Sequence, residues 1–359
     1  MSFDSEDYLS RQYQVSSIDL DAKIDELLHL AVPPTSPNLE LYREMMLTVA
    51  RMAETDRNRW DAKIMMQTLR EMEASFSLLE RFKRRRKVTV FGSARTESGH
   101  PLYQQAKELG EILARHNLMV ITGAGGGIMA AAHEGAGLEN SLGFNIALPF
   151  EQGANETVNG SGHLLSFHFF FLRKLFFVKE ADALVLCPGG FGTLDEALEV
   201  LTLIQTGKSP LVPVVLLDQE GGTYWDTALQ FMRTEMADKN YILPTDLRLM
   251  RQVRSPQEAG EEIARFYRSF HSTRWFNESF VMRINHPLND QALETLHKEF
   301  LDLCVSGGFV QVPYCAARHN EPEFCNQHRL EFVFNRRDHG RLRELVDFIN
   351  LPQNWKSNS

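Results

Sequence analysis

The stretch Pro188-Gly-Gly-Phe-Gly-Thr-Leu-Asp-Glu196 decides how this chain folds, because it joins two segments of different periodicity. The apolar run Ala183–Cys187 before it is typical of a buried strand, and Ala197–Ile204 after it repeats apolar residues at helical spacing. The order is therefore strand, glycine turn, helix. Glycines allow a ligand to approach the backbone N–H groups at a helix start, and with the hydroxyl of Thr193 they predict an anion site suited to phosphate.

Glu196 lies one turn into that predicted helix, and two interpretations of it stay open. A carboxylate in a first turn can complement the helix dipole or cap the helix, which is an ordinary structural role. The same side chain can instead face a ligand bound at the glycine turn.

Composition limits the kinds of protein that this chain can be. It has 359 residues, 43% of them hydrophobic, a formal net charge of -9 and only four cysteines. This length allows two or three domains, and the negative charge argues against general affinity for nucleic acid or an anionic membrane. The acidic first residues do not resemble a signal peptide, and no apolar run approaches membrane-spanning length. We therefore expect a cytoplasmic protein without a disulfide framework.

Strands and helices are predicted to alternate between Val88 and about His271, as in an α/β fold with a parallel sheet covered by helices on both faces. We expect a helical N-terminal region over residues 1–87, with a short amphipathic segment from Ile18 and two long helices over 38–82, and a small C-terminal α+β domain over 272–359. The central domain then spans residues 88–271. Its predicted elements are strand 88–92, helix 101–116, strand 118–122, helix 127–137, strand 143–148, helix 165–180, strand 183–187, helix 193–206, strand 212–217, helix 224–236 and helix 256–270. Those of the last domain are strand 279–284, helix 289–305, strand 308–312, strand 329–335 and helix 338–350.

Two further glycine turns follow the first two predicted strands. The first strand ends in Gly92-Ser93-Ala-Arg95, and the second leads into Gly123-Ala-Gly-Gly-Gly-Ile-Met129. Adjacent turns that both admit a ligand mark the ligand-binding edge of an open α/β sheet. The second turn superficially resembles a dinucleotide-binding fingerprint, but no acidic ribose ligand ends the third strand, so NAD is disfavoured.

Two cations interrupt the apolar helix that precedes the decisive stretch. This helix reads Phe169-Phe-Phe-Leu-Arg173-Lys174-Leu-Phe-Phe177. For Lys174 we favour a charged head that reaches solvent. Arg173 lies near the predicted phosphate-binding turns, where a guanidinium can form charge-assisted hydrogen bonds to a ligand or to Glu196.

Together these motifs resemble the LOG (Lonely Guy) family, whose members are Rossmann-like nucleotide 5′-monophosphate phosphoribohydrolases, often mislabelled lysine decarboxylases. The resemblance covers roughly residues 88–235 and implies hydrolysis of the N-glycosidic bond of AMP or cytokinin riboside monophosphates to free base and ribose 5-phosphate. It rests on Gly92–Arg95, Gly123–Met129, Leu148–Gln152 with Asn155, Phe170–Lys174, Pro188–Glu196 and Leu203–Lys208.

The resemblance also implies roles for individual residues. Arg173 and Glu196 fall on the family's catalytic arginine and glutamate. The expected phosphate- and ribose-binding residues are Gly189, Gly190, Gly192, Thr193, Ser93, Gly125, Gly126, Gly127 and Met129. The family further implies a homodimer or higher homo-oligomer. This chain departs from the family pattern after Met129, where Ala130 stands in place of the usual Glu, so the preferred base stays open.

A nucleotide-binding sensor or carrier of the same fold is the alternative function. It would need the glycine turns but not both Arg173 and Glu196, so the presence of both favours the enzyme. We expect no cofactor. Pyridoxal phosphate would require a Schiff-base lysine, and nothing around Lys174 or Lys208 argues for one.

Two other segments each allow two interpretations. The basic run Arg81–Lys87 fits a solvated helix end whose cations suit the helix dipole, and contact with an anionic ligand or effector is the alternative. Cys315, His319, Cys325 and His328 contain zinc-ligand residue types, but their spacing matches no common zinc finger. We therefore expect an ordinary loop there and no metal.

Overall fold

The computed structural model describes residues 18–56, 58–147 and 153–356 of the chain. The chain divides into two units, Met1–Arg70 and Glu71–Ser359, and each contains apolar core residues of its own. Within the described ranges, no helix is long and apolar enough to cross a membrane.

The first unit is helical, as the absence of glycine and proline from residues 38–82 predicts. It contains α1 (Ile18–Ala31), α2 (Leu39–Glu54) and the first half of α3 (Arg59–Glu80), within which the division between the units falls. Apolar side chains of α1 and α2 pack together, and the Arg43 guanidinium joins them by ion pairs of 2.8 Å to Asp21 and 2.7 Å to Asp25. The amphipathic segment from Ile18 is therefore packed on α2.

The second unit is built on a seven-stranded, fully parallel sheet, which confirms the predicted α/β fold. The strand order is β4-β3-β2-β1-β5-β6-β7, so the strands that end in glycine turns are neighbours at the centre. The strands are β1 (Lys87–Phe91), β2 (Met119–Thr122), β3 (Ser141–Ile146), β4 (Leu164–Phe167), β5 (Ala183–Leu186), β6 (Val214–Leu217) and β7 (Met250–Val253).

Helices cover both faces of this sheet. Alternate residues of a strand point to opposite faces, so Leu184 and Leu186 of β5 pack in one core, whereas Ala183 and Val185 pack in the other. The inner strands β5 and β6 are apolar on both faces because both faces are buried there. The helices are α4 (Pro101–Arg115), α5 (Ile128–Ala136), α6 (Phe170–Glu180), α7 (Phe191–Gln205), α8 (Tyr224–Phe231) and α9 (Pro256–Phe266).

Three strands were missed by the sequence prediction, and in each case the local pattern explains the error. The helix expected over 165–180 is wrong in its first part, because β4 ends at Phe167 and α6 begins at Phe170 without a glycine or proline between them. Likewise, the helix expected over 256–270 ends at Phe266, and Phe270 begins a strand. Strand β7 reads Met-Arg-Gln-Val, four residues that neither alternate nor form a continuous apolar run, so the sequence gives no strand signal there.

The C-terminal part of the second unit is α+β, as predicted. Four antiparallel strands form a sheet of order β10-β11-β9-β8, and its apolar side chains continue one core of the parallel sheet. The boundary predicted at residues 271 and 272 stays a prediction. The strands are β8 (Phe270–Phe276), β9 (Ser279–Ile284), β10 (Val310–Val312) and β11 (His328–Phe332), and the helices are α10 (Asp290–Glu299), α11 (Ala316–His319) and α12 (His339–Ile349).

Backbone hydrogen bonds join the three glycine turns at the carboxyl ends of β1, β2 and β5. The N–H of Ser93 donates to the carbonyl of Pro188 over 3.1 Å, and the N–H of Ile128 donates to the carbonyl of Ser93 over 3.0 Å. The first turn therefore holds the other two. Gly127 makes this approach possible, because its φ of +60° suits glycine and a Cβ there would lie 2.7 Å from the carbonyl carbon of Ala94.

We predict that Gly127→Ala destabilises the protein by about 3 kcal/mol, since the methyl group adds both φ strain and a backbone clash. Gly190→Ala is the matched control, because its φ is -89° and a Cβ there would meet nothing within 4 Å in the part of the chain that the structure describes. Urea unfolding of the two variants measures the difference. Equal stability would show that the turns do not depend on the close approach at Gly127.

Candidate active site

The turn between β5 and α7 presents a helix start that is open to a ligand. Gly190 is the N-cap residue of α7, and a Cβ added at Gly190 or Gly192 would meet no atom of the described residues within 4 Å. The first turn of a helix has N–H groups without partners in the helix, and its dipole favours an anion. The open space beside these glycines therefore suits a phosphate group.

Gly189 has the opposite environment, because it packs tightly. A Cβ on Gly189 would lie 2.9 Å from the Cβ of Thr193 and 3.0 Å from the backbone nitrogen of Ser93. Its carbonyl accepts a hydrogen bond of 2.8 Å from the hydroxyl of Tyr224. The predicted residues Gly189, Thr193 and Ser93 are thus brought together. Tyr224 was not predicted, because it lies 35 residues away in sequence, within an ordinary helical pattern.

Two hydrogen-bonded polar side chains, Asn155 and His133, support the second glycine turn. Asn155 donates from Nδ2 to the carbonyl of Gly125 over 3.1 Å and is also hydrogen-bonded to His133. Burial lowers the pKa of His133 to about 4, so its imidazole is neutral near pH 7. Because His133 is completely buried, it supports the turn through Asn155 and does not reach a ligand.

Met129 covers the other predicted residues of this turn. A Cβ added at Gly123 would lie 2.9 Å from the Sδ of Met129. A Cβ added at Gly125 would lie 2.8 Å from the Cε of Met129. A Cβ on Gly126 would lie 3.3 Å from the carbonyl oxygen of Ala94, in the first turn. At Gly126 the close backbone of Ala94 favours glycine, whereas at Gly123 and Gly125 the neighbouring atoms are the flexible end of Met129, which can move.

Arg173 and Glu196 meet at the boundary of the second and third turns. Glu196 Oε1 lies 4.0 Å from Arg173 Nη2 and 4.0 Å from Lys174 Nζ. An Nη1 atom of Arg173 lies 3.9 Å from where a Cβ of Gly123 would stand, so the guanidinium reaches from Glu196 to the second turn. The rings of Phe170 and Phe177 pack against it at 4.9 and 5.5 Å.

Contrary to the prediction, the charged head of Lys174 does not extend into solvent. Its ammonium is held between Asp195 at 2.8 Å and Glu199 at 2.6 Å, and its side chain is largely buried. Burial alone would lower the pKa of Lys174, but hydrogen bonds to these two carboxylates outweigh burial and raise the pKa above its ordinary value. The prediction failed because the partners come from α7, beside α6 in space but about 20 residues later in the chain.

Glu196 is the most perturbed acid of this region. The residue is 2% exposed, and burial raises the pKa of its carboxyl to about 7, although Lys174 and Arg173 oppose the shift. Its Oε2 atom has no hydrogen-bond partner among the described residues. A buried carboxyl that ionises near neutral pH and keeps one oxygen available is typical of a catalytic group.

A cavity of about 870 Å³ opens beside the first and third turns. Ser93, Gly189 and the exposed Arg95 line it, together with His100 at the start of α4. Sequence reasoning gave Arg95 no role, although it follows Ser93 in the first turn. Its position at the cavity adds a cation to the region where the backbone favours an anion.

The part of the chain that the structure describes contains no group of three His, Cys, Asp or Glu side chains that could hold a metal ion. His319 instead accepts a hydrogen bond of 2.9 Å from the backbone nitrogen of Cys315 and contacts Glu331 at 3.1 Å. The predicted segment Leu148–Gln152, in contrast, lies outside the described residues.

Comparison with known proteins adds independent information. The family described as "Possible lysine decarboxylase" matches residues 126–263. A cytokinin riboside 5'-monophosphate phosphoribohydrolase of Arabidopsis thaliana is 31% identical over 180 residues, which cover 48% of this chain and 79% of that protein. The chain belongs to the LOG family. The family match ends before β8, so the four-stranded sheet lies beyond it.

Two further proteins are similar over comparable lengths. A probable cytokinin riboside 5'-monophosphate phosphoribohydrolase of Oryza sativa subsp. japonica is 30% identical, with 54% of this chain and 77% of that protein covered. Among solved structures, the molybdenum cofactor binding protein of the phototrophic bacterium Rippkaea orientalis is 21% identical, with 50% of this chain and 94% of that chain covered at a TM-score of 0.35.

We predict that Glu196→Gln makes this LOG-family protein more stable at about pH 8, by roughly 3 kcal/mol, and leaves its stability nearly unchanged at about pH 4. The folded pKa of about 7 lies above the ordinary value of 4.5, so ionisation of Glu196 costs stability progressively as the pH rises between these two values. Glutamine stays neutral and avoids this cost.

Urea unfolding at both pH values measures the effect. Glu199→Gln, one helical turn further along α7, is the matched control. It removes the ion pair with Lys174 and should not stabilise the protein at either pH. Equal stability of wild type and Glu196→Gln at the higher pH would show that burial does not hold the carboxyl near neutrality.

Proposed function

We propose that this chain hydrolyses the N-glycosidic bond of a nucleoside 5′-monophosphate, AMP or a cytokinin riboside monophosphate, to free base and ribose 5-phosphate. The observation that carries the proposal is the buried carboxyl of Glu196, which ionises near pH 7 on the same helix as an open phosphate-binding turn. Similarity to phosphoribohydrolases over about half of this chain supports it.

The phosphate and the reacting carbon fit one face of α7. Gly190 and Gly192 offer the helix start to the 5′-phosphate, and Arg95 adds a positive charge from the neighbouring cavity. Thr193 and Glu196 are three residues apart and both buried, so they lie on one side of the helix. A ribose held through its phosphate at the turn thus extends toward the carboxylate of Glu196.

The proposed reaction replaces the base by water at C1′. The C1′–N bond breaks with its electron pair on the base, positive charge develops on the sugar ring, and a water oxygen bonds to C1′ while a proton passes to the base nitrogen. An ionised Glu196 stabilises this oxocarbenium-like charge or positions the water. Phosphate contacts away from C1′ supply binding energy that holds the sugar in place.

Arg173 has two compatible tasks in this scheme. Its guanidinium lies between Glu196 and the second glycine turn, so it can orient the carboxylate or hydrogen-bond to the ribose. The phenylalanine rings of α6 pack on it and limit its movement. A positive charge at 4.0 Å also favours the ionised form of Glu196 against the effect of burial.

Incubation of the full chain with AMP, GMP, CMP, UMP and isopentenyladenosine monophosphate, followed by chromatography of base and ribose 5-phosphate, tests the proposal. We expect release from at least one of them. Glu196→Gln should lower the rate by about a thousandfold or more while AMP affinity stays within about tenfold, because the backbone phosphate contacts survive. Arg173→Ala should also lower turnover strongly. Asp195→Asn, a mostly exposed neighbour of Glu196, is the control and should retain the activity.

The pH dependence of hydrolysis distinguishes the roles of Glu196. If the ionised carboxylate acts, kcat/KM rises with pH up to about 7 and then levels off, because the acid form disappears above its pKa. A fall in kcat/KM through the same range would assign Glu196 as a proton donor. Absence of base release, with AMP still raising the melting temperature, would favour the sensor or carrier alternative.

We propose that the homodimer expected from the resemblance forms through an apolar surface beside the site. Phe191 is 94% exposed at the start of α7, and Leu198 on α7 and Phe171 on α6 are also exposed. An apolar face of this kind suits a second copy of the chain. Sedimentation of the full chain should give a dimer or larger oligomer that Leu198→Glu weakens. Leu301→Glu, equally exposed outside this face, should leave it intact.

A further inference from the structure

A second cavity, of about 920 Å³, lies at the amino-terminal ends of the parallel strands, opposite the three glycine turns. The turns stand at the carboxyl ends of the strands, whereas this cavity is lined by Lys87, the first residue of β1, and by Asp182, which immediately precedes β5. His271 of β8 and Arg283 of β9 line its other side. It therefore lies where the parallel and antiparallel sheets adjoin.

Positive charge dominates the lining of this cavity, although the chain as a whole is acidic. Seven positive and three acidic residues line it, which leaves an excess of four positive charges. The positive residues are Lys83, Arg84, Arg85, Arg86, Lys87, Lys179 and Arg283. Most of them come from the basic run that the sequence left with two interpretations, a solvated helix end or an anion contact.

The acidic residues of the lining do not neutralise the whole run. Glu80 pairs with Lys83, and Asp182 pairs with Arg86. The buried Glu180 serves Lys87 and Lys179. Among the residues that the structure describes, no acidic residue of the lining is left to pair with the two arginines in the middle of the run.

Arg84 and Arg85 are these two arginines. Among the described residues no carboxylate pairs with either of them, and Arg85 reaches only the backbone carbonyl of Glu139 and the amide oxygen of Asn140. Arginine forks match phosphate oxygens, and a cluster of them without carboxylate partners attracts an anion.

Two other features of the wall support an anionic ligand. Burial lowers the pKa of His271, and the guanidiniums of Arg86, Arg283 and Arg329 lower it further, which shows that positive potential extends across the cavity. The ring of Phe324 lies 4.4 Å under the Arg283 guanidinium and edge-on to His271. Cations beside an aromatic wall can hold the charged and the planar parts of one molecule.

We infer that this cavity binds a small anion with two or more phosphate groups, such as inorganic tripolyphosphate or a nucleoside triphosphate. A single phosphate neutralises only part of the excess charge and fills only a small part of the volume. A chain of phosphates can contact Lys83, Arg84 and Arg85, whereas Arg283 on the opposite wall is paired with the buried Glu321 and contributes through its charge. The site is separate from the proposed nucleotide site and requires no hydrolysis to be observed.

Three elements run directly from this cavity to the glycine turns. Strand β1 begins at Lys87 and leads to Ser93, and β5 follows Asp182 and leads to Pro188. Helix α6 has Arg173 near its start and Lys179, which lines the cavity, near its end. An anion that holds these ends together is in a position to change the geometry of the turns, so the rate of nucleotide hydrolysis is a useful second readout.

Calorimetric titration of the full chain with tripolyphosphate tests the inference, in the presence of saturating ribose 5-phosphate to occupy the turn at α7. We expect one site per chain. The double variant Lys83→Glu/Arg84→Glu should bind at least about tenfold more weakly, because two surface cations become anions without loss of core packing. Arg81→Glu is the matched control, since Arg81 is an exposed residue of the same basic run that does not line the cavity, and it should bind like wild type.

Titration with ATP tests whether the aromatic wall contacts the nucleoside part of a ligand. Tighter binding of ATP than of tripolyphosphate would support a nucleotide, and equal affinity would support the phosphate chain alone. Three results would overturn the inference: no heat of binding up to about 1 mM ligand, equal binding by the charge-reversed variant, or complete displacement by ribose 5-phosphate. Loss of nucleotide hydrolysis without loss of tripolyphosphate binding would concern the proposed function only.

Discussion

The approach of three backbone turns at the centre of the parallel sheet is the constraint on which the candidate active site depends. Ser93 donates to the carbonyl of Pro188 and accepts from Ile128, so one residue of β1's turn fixes the position of both neighbouring turns. Side chains would prevent this, which explains glycine at Gly127 and Gly189. The starts of α5 and α7 consequently lie on either side of the first turn, at the carboxyl ends of the central strands.

This arrangement places Glu196 where ionisation is unfavourable. Burial works against the carboxylate, while Arg173 and Lys174 work for it, and the balance leaves the pKa at about 7. Two cations at 4.0 Å are too far for ideal hydrogen bonds, and Lys174 is engaged by Asp195 and Glu199. A carboxyl with full hydrogen bonding would be more stable and less reactive, so the imperfect pairing is consistent with a group kept ready for chemistry.

The sequence predicts the parts of this site that lie in one continuous motif, since strand periodicity, glycine and the helix start are local signals. It therefore indicates β5, the turn at Gly189–Thr193, and Glu196. It misses whatever depends on distant segments: the Tyr224 hydroxyl on Gly189, the enclosure of Lys174, and the neutral His133 beneath Asn155. Strands β4 and β8 were missed because each adjoins a helix with no glycine or proline between the two elements. Contacts across a fold leave no periodicity in the sequence.

The basic run Arg81–Lys87 can be interpreted only together with the residues that surround it in the structure. As sequence, it is compatible with an ordinary helix end. In the structure it follows α3, leads into the central strand β1, and faces Arg283 and Phe324 from the region beyond the LOG-family match. The basic run and the four-stranded sheet both lie outside residues 126–263, which the family match covers. The four-stranded sheet therefore does more than extend the core: it completes a cationic cavity at one end of the strands and helix whose other ends form the candidate active site.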